Sequence, residues 1–279
     1  MSRVLVTGGS SGLGAALVEK FRARGDQVLV TDLAAAGERG SGAAYLHLDV
    51  TAQDDWDAAL AWVRSEWGGL DILVNNAGIA TGGRIDVATL EEWQRVIDVN
   101  LLGVVRGCRT FTPLLKEQGH GRLVNTASAA GLVHPPGMAS YNAVKAGVVA
   151  LSETLRWELE PFGVQVTVVC PTFFRTNLAS SLTGSDTVLN RIAERLITRS
   201  TVTADEIAAE VVKAVDAGRY LVLPDEGARK AFFAKRFLTP LYERQQRGFA
   251  ARIQQAAAAE SETGTETETD TDTATRETP

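Results

Sequence analysis

The 279-residue sequence predicts an α/β fold: a doubly wound, mainly parallel sheet of seven strands with helices on both faces, followed by a helical appendage. Two observations predict it. Short β-rich runs alternate with longer stretches of helical periodicity, the pattern of strands joined by crossover helices. Most of the runs are continuously apolar, as strands covered on both faces must be. A glycine-rich turn joining the first strand to the first helix then points to the site.

The strands are expected at 4–6, 27–31, 44–48, 72–74, 123–125, 164–169 and 220–223. Helices are expected at 13–24, 52–67, 91–116, 140–160 and 204–217. In the first helix Leu13, Leu17 and Phe21 form an apolar face, opposite Lys20 and Arg24. Nothing divides residues 1–225, which read as one domain. Residues 226–259 read as a basic amphipathic appendage that Pro240 should break or kink into two short helices. Residues 260–279 alternate Thr with Glu or Asp and read as a disordered tail, because they have too little apolar surface to offset their ordering entropy.

The net charge is −6, which disfavours nucleic acid as a partner. Its distribution matters more than its sum. The tail carries −6, residues 229–252 carry +6, and residues 1–228 carry the remaining −6. No apolar run reaches the length of a membrane span or the apolar core of a secretory signal, so a cytoplasmic location is expected. Cys108 and Cys170 lie far apart in apolar segments and read as reduced core residues, not as a metal site or a disulfide.

The first strand runs into Thr7-Gly8-Gly9-Ser10-Ser11-Gly12-Leu13-Gly14, and a helix follows at once. Glycines there allow positive φ and let a pyrophosphate approach the backbone, while amides at the helix N-terminus point at the anion. The second strand ends at Asp32, followed by Leu33. A carboxylate there can accept both adenosine-ribose hydroxyls and repels a 2′-phosphate, so NAD is favoured over NADP. Arg39 is the one nearby cation that could reach a phosphate.

Tyr141 and Lys145 stand four apart at the start of a helix, on one face. A cation beside a phenol favours the phenolate and moves its pKa toward the working range. Ser128 lies at a strand end, where open α/β sheets place ligands, and can hydrogen-bond a reacting oxygen.

Together these residues resemble a short-chain dehydrogenase/reductase of the standard subfamily, over residues 3 to about 223. The match rests on the turn at 7–14, Asp32, Leu48-Asp49-Val50, Asn75-Asn76-Ala77-Gly78, Asn100, Ser128, and Tyr141 with Lys145. The resemblance implies a Rossmann-type fold and a nicotinamide cofactor. It implies that Tyr141 is the general acid/base, that Lys145 lowers its pKa and holds the nicotinamide ribose, and that Ser128 orients the substrate oxygen. Asn100 resembles the residue that holds a water linking the lysine to solvent. Asp49 and Val50 resemble an adenine-contacting pair, and Asn76, Ala77 and Gly78 the stretch against the cofactor's ribose. Pro171 and Thr176 match a carboxamide-contacting segment, but Thr172 stands where the family usually has glycine. The family often forms homo-oligomers.

Two segments should shape the substrate pocket, 131–138 and 173–182. Leu132, Val133, Met138, Phe173, Phe174, Leu178 and Leu182 make it apolar; His134 is the titratable group in the first segment, and Arg175 could meet an acidic group. The expected activity is therefore NAD-dependent interconversion of an apolar or lipid-like secondary alcohol and its ketone. The alternatives are an NADPH-dependent carbonyl or 3-oxoacyl reductase and, more remotely, a non-catalytic cofactor-sensing regulator. For 229–252 three roles compete. It can be a helical pair packed on its own domain or a second subunit, an interfacial helix on the anionic inner surface of a membrane, or a nucleic-acid contact. In the second case the acidic tail is expected to compete with the lipid.

Overall fold

The computed structural model describes residues 1–33, 43–175 and 184–274, with side chains through residue 260. The seven apolar runs become β1 (Arg3–Thr7), β2 (Gln27–Asp32), β3 (Ala44–His47), β4 (Ile72–Asn75), β5 (Gly121–Thr126), β6 (Val164–Val169) and β7 (Leu221–Val222). They form one sheet in the order β3-β2-β1-β4-β5-β6-β7, with every pairing parallel.

Period-two alternation assigns the residues of the inner strands to two faces. Leu5, Leu29, Leu73 and Leu123 stand in register as a leucine ladder across β2, β1, β4 and β5. They pack with Trp56 of α2 (Gln53–Trp67), Phe111 of α4 (Gly103–Gln118) and Val148 of α6 (Ala139–Leu159). Val4, Val6, Val28, Val30, Ile72 and Val74 line the other face. They pack against Leu17 and Phe21 of α1 (Gly12–Ala23) and against Ile207 and Val211 of α8 (Ala204–Asp216). Each buried side chain of this size contributes about 1.5–3 kcal/mol, so neither helical layer is dispensable.

The chain steps from β1 outward to β2 and β3, then returns to place β4 on the other side of β1. Connections therefore diverge between β1 and β4, and a crevice opens beyond their C-terminal ends. The Thr7 hydroxyl bridges the two strand ends, accepting from the amides of Asn76 (2.9 Å) and Ala77 (3.0 Å).

The single helix expected over 91–116 is instead α3 (Leu90–Ile97), a π-helical turn over Asp98–Leu102, and α4. The side chain of Asn100, fully buried, bonds both backbone groups of Ile79. Its Oδ1 accepts from the Ile79 amide and its Nδ2 donates to the Ile79 carbonyl, each at 2.9 Å. A wider turn brings Asn100 to that loop, and an apolar helical period does not register one inserted residue. Two further helices were not expected: α5 (Ala130–Val133) and α7 (Thr187–Thr198).

The appendage forms α9 (Glu226–Phe237) and α10 (Thr239–Ala274). Pro240 sits in the first turn of α10, where a missing N–H costs nothing, so the expected break is found. The second helix is long, not short, and continues through most of the segment expected to be disordered. No proline interrupts the chain between Pro240 and Pro279, and extending a formed helix costs far less than nucleating one. Residues 275–279 lie outside the described residues. Cys108 and Cys170 are both buried and unbridged. Among the described residues no helix is long and apolar enough to cross a membrane.

Candidate active site

The crevice at the β1/β4 divergence is one end of a continuous cleft of about 1000 Å3. Its first wall is the turn between β1 and α1. A Cβ on Gly14 would lie 2.0 Å from the Gly8 carbonyl oxygen, so only glycine lets α1 start this close to the strand. The Ser11 side chain does not cap α1, and no acidic residue lies in its first turn. This helix end therefore keeps its positive dipole toward the cleft, where Gly8, Ser11, Gly12 and Leu13 line the wall. The Asp32 carboxylate is held in place by two backbone amides. Oδ2 accepts from Ser10 (3.0 Å) and Oδ1 from Leu33 (2.8 Å). Asp32, Leu33, Leu48, Asp49, Val50, Asn76, Ala77 and Gly78 complete this end. Ser10 and Gly14, also expected at the cofactor, are not among the residues that line the cleft. These features fit a dinucleotide: amides of an uncapped helix N-terminus for the pyrophosphate, a fixed carboxylate for ribose hydroxyls, and, among the described residues, glycines where a side chain would fill the cradle.

The middle of the cleft brings Ser128, Tyr141 and Lys145 together. Ser128 follows β5, and its Oγ accepts from the Ala130 amide at 3.1 Å and donates to the Pro171 carbonyl at 3.4 Å. Tyr141 and Lys145 lie on α6. The close approach of α5 to α6 sets the spacing between Ser128 and Tyr141: a Cβ on Gly131 would lie 2.5 Å from the Lys145 carbonyl oxygen. Burial pushes the Tyr141 phenol up to about 12, while the neighbouring Ser128 hydroxyl pulls it down. Burial lowers the Lys145 ammonium to about 8. The expected cationic effect on the phenol does not offset its burial. Lys145 Nζ sits 5.7 Å from the Tyr141 ring centroid and donates to the Thr126 carbonyl at 2.9 Å. At neutral pH the phenol is therefore protonated, while Lys145 remains largely cationic though easier to deprotonate than a free lysine. Asn100 lies across Gly78 from Lys145: a Cβ on Gly78 would be 3.0 Å from Asn100 Oδ1 and 3.8 Å from Lys145 Nζ.

The far end of the cleft is apolar. Val133, Met138, Phe173 and Phe174 line it as expected, and Pro171 borders it. Arg39, Thr176, Leu178 and Leu182 lie outside the described residues. His134 does not line the cleft. It adopts a left-handed conformation (φ 47°), and its ring faces away, with Nδ1 2.8 Å from Lys235 Nζ and Nε2 3.2 Å from the Gly131 carbonyl. Burial and the neighbouring ammonium both lower its pKa, so it accepts from Lys235 as a neutral ring. Arg175 pairs in an isolated bridge with Thr203.

Lining residues that escaped the sequence reading include Ile79 and Arg95, Ala193 and Ile197 of α7, and Ala231 of α9. A signal for α7 existed. Asp186 caps it, accepting from the Leu189 amide at 3.2 Å, ahead of apolar residues at helical spacing. Asp186 also accepts from the amide and the Nε of Arg84 (3.0 and 2.7 Å), fastening α7 to the loop after β4. No local signal exists for Ala231.

The departure at Thr172 acquires a physical role. Its hydroxyl and its amide donate to Asp225 at 2.7 and 2.9 Å, and Asp225 caps α9 by accepting from Ala228 at 2.8 Å. A glycine would supply the amide but not the hydroxyl. The Lys235 ammonium donates to the Leu132 carbonyl at 2.6 Å, and the Tyr242 hydroxyl to that of Val133. The appendage is thereby tied to the first of the two segments that shape the substrate end, and the cap of α9 to Thr172, the residue just before the second.

Comparison with known proteins agrees with this geometry. The family model described as short chain dehydrogenase matches residues 2–186. A 3-alpha-(or 20-beta)-hydroxysteroid dehydrogenase of Mycobacterium bovis is 38% identical over 198 residues, covering 68% of this chain and 76% of that protein. A 3-oxoacyl-(acyl-carrier-protein) reductase of Escherichia coli is 35% identical over 184 residues, covering 64% and 75%. A short chain dehydrogenase/reductase from Burkholderia phymatum, solved in complex with NAD, superposes with a TM-score of 0.77 at 28% identity, covering 83% of this chain and 91% of that one. The chain belongs to the short-chain dehydrogenase/reductase family, and is an oxidoreductase acting on CH–OH groups with a nicotinamide cofactor.

Proposed function

We propose that the protein uses NAD to interconvert an apolar secondary alcohol and its ketone. One observation carries the reading: a single cleft has a backbone-held carboxylate at one end, Ser128, Tyr141 and Lys145 in its middle, and apolar walls at the other end. The cofactor, when bound, takes up or delivers the hydride. The chain's residues hold the reactants and move the proton. Tyr141 takes the proton from the alcohol oxygen, or returns it to the ketone oxygen. Ser128 donates to that oxygen and orients it. Lys145 holds the cofactor's ribose and keeps a positive charge near the phenol. Asn100 positions the loop at Ile79, and through the water that the family resemblance assigns to it connects Lys145 with solvent. Asp32, which accepts from two backbone amides among the described residues, accepts from the adenosine-ribose hydroxyls and its negative charge would repel a phosphate there. Thr176 and Leu178 keep their expected roles beside carboxamide and substrate.

The named substrates of the two relatives bracket the possibilities: a hydroxysteroid on one side, an acyl chain on a carrier protein on the other. The apolar lining and the aromatic pair Phe173 and Phe174 support the first kind, a compact hydrophobic alcohol. Titration by nicotinamide fluorescence tests the cofactor. NADH should bind at least tenfold more tightly than NADPH, and Asp32→Ala should erase most of that preference; tighter NADPH binding by the unaltered protein overturns the assignment. A panel of cyclic and linear secondary alcohols with NAD⁺ then identifies the substrate class.

A further inference from the structure

The inward face of α9 is committed to the enzyme. Ala228 is fully buried, Ala231 lines the cleft, and Lys235 bonds the substrate loop. At helical spacing, the opposite face presents Arg229, Lys230, Phe233, Arg236 and Phe237. Phe233 and Phe237 are 54% and 63% exposed, and their rings touch each other at 4.9 Å. The corner into α10 adds Leu238 and Leu241, 44% and 49% exposed. Four of the large exposed apolar side chains of the described residues thus fall within nine positions. Burying them on their own domain would have required the face that the cleft already uses.

The charges around this patch are predominantly positive. Arg229, Lys230, Arg236 and Arg244 are exposed around it, and residues 226–252 contain only two acids, Glu226 and Glu243. Glu226 pairs with Lys230 and Glu243 with Arg247, each four residues apart along its own helix. The backbone of helix α10 rises about 40 Å along its axis between Leu241 and residue 266.

We propose that the α9–α10 corner docks the enzyme on an anionic lipid bilayer, with Phe233, Phe237, Leu238 and Leu241 entering the headgroup–acyl boundary and the surrounding Arg and Lys facing anionic headgroups. Aromatic and leucine side chains inside a ring of cations are the composition that binds such an interface without spanning it. The docked face and the cleft wall are two sides of one helix, so docking sets the apolar end of the cleft beside the lipid. The benefit of this to an apolar alcohol rests on the proposed function; the docking itself does not.

Co-sedimentation of the full-length protein with vesicles tests the proposal. Vesicles of about one-third phosphatidylglycerol in phosphatidylcholine should carry down most of the protein, and pure phosphatidylcholine vesicles little. Raising salt to about 0.5 M should release it. The double variant Phe233→Ser/Phe237→Ser should lose binding at least tenfold while keeping NADH affinity, which shows that it folds. Arg236→Glu should weaken binding less. Failure of the unaltered protein to sediment with anionic vesicles overturns the proposal, as does equal sedimentation of the double variant. Dimerisation that the same double variant abolishes, without vesicle binding, would reassign the patch to a second copy of the chain. Because vesicle binding is read without turnover, these outcomes stand apart from any failure of the NAD or substrate assignment.

Discussion

The two ends of the cleft are built by different means. At the adenosine end the backbone does most of the work: a tight turn, an uncapped helix terminus, and a carboxylate fixed by two amides, all within residues 7–33. At the substrate end the wall is assembled from side chains of α5, the segment after β6, α7 and α9, elements separated by as many as a hundred residues. A backbone-built site tolerates few changes but is the same for any substrate. A side-chain wall can be altered without disturbing hydride chemistry. The contrast predicts that damage at the reacting centre and the adenosine end is severe and general, and that damage at the substrate end is graded and depends on the substrate.

The largest effect is expected between the two ends. Tyr141→Phe should lower kcat about a thousandfold, the span of a lost general acid/base, with NADH affinity changed less than twofold. Stopped-flow turnover with a parallel fluorescence titration checks this; retention of most activity would remove Tyr141 from the chemistry. The raised pKa gives a second readout. Absorbance titration of the cofactor-free protein should show the phenolate signal that Tyr141→Phe removes appearing only near pH 12, above the ordinary tyrosine range.

At the adenosine end, Gly14→Ala places a methyl 2.0 Å from a carbonyl oxygen, so the turn must open. NADH affinity should fall by tenfold or more, for every substrate alike. An affinity within twofold of the unaltered protein would show the turn to be softer than its contacts indicate.

At the substrate end, Ala231→Phe should lower kcat/KM for a bulky cyclic alcohol about tenfold, and for a small linear one less than twofold, with NADH binding unchanged. Equal losses on both would mean that Ala231 does not bound the substrate.

The smallest effect concerns the Arg84–Asp186 pair that fastens α7. Burial pushes the Asp186 carboxyl up, but the hydrogen bonds and charge of Arg84 outweigh it and hold the carboxyl below its usual range. The folded state thus binds fewer protons in acid than the unfolded chain. The pair's contribution is complete above about pH 4, the unfolded carboxyl's range, and is lost as pH falls through the lower folded value. Asp186→Asn should cost about 1–2 kcal/mol at neutral pH, the Arg84 side chain being partly exposed. Urea unfolding at pH 7 and pH 3 should show the difference between variant and parent narrowing in acid.

Much of the site was legible in the residues because its signals are local. TGGSSGLG and Tyr141 with Lys145 each lie within one turn or one helix, where spacing alone sets direction. Asp32 was legible because it ends a strand that its apolar run announces. His134 was misplaced because a loop histidine's direction depends on what docks beside it, here Lys235, a hundred residues later. Ala231 gave no sign because a small apolar residue on an amphipathic helix looks the same whether it meets a core or a cavity.

By itself, the order of apolar runs and helical periods determined the parallel sheet, its flanking helices and the dinucleotide turn, since these follow from backbone geometry and short-range periodicity. Only the tertiary structure decided the π turn that brings Asn100 to Ile79, the Thr172–Asp225 link that replaces a glycine, and the face α9 turns to the cleft. Those depend on contacts between segments distant in sequence, whose energies exist only once the elements have packed.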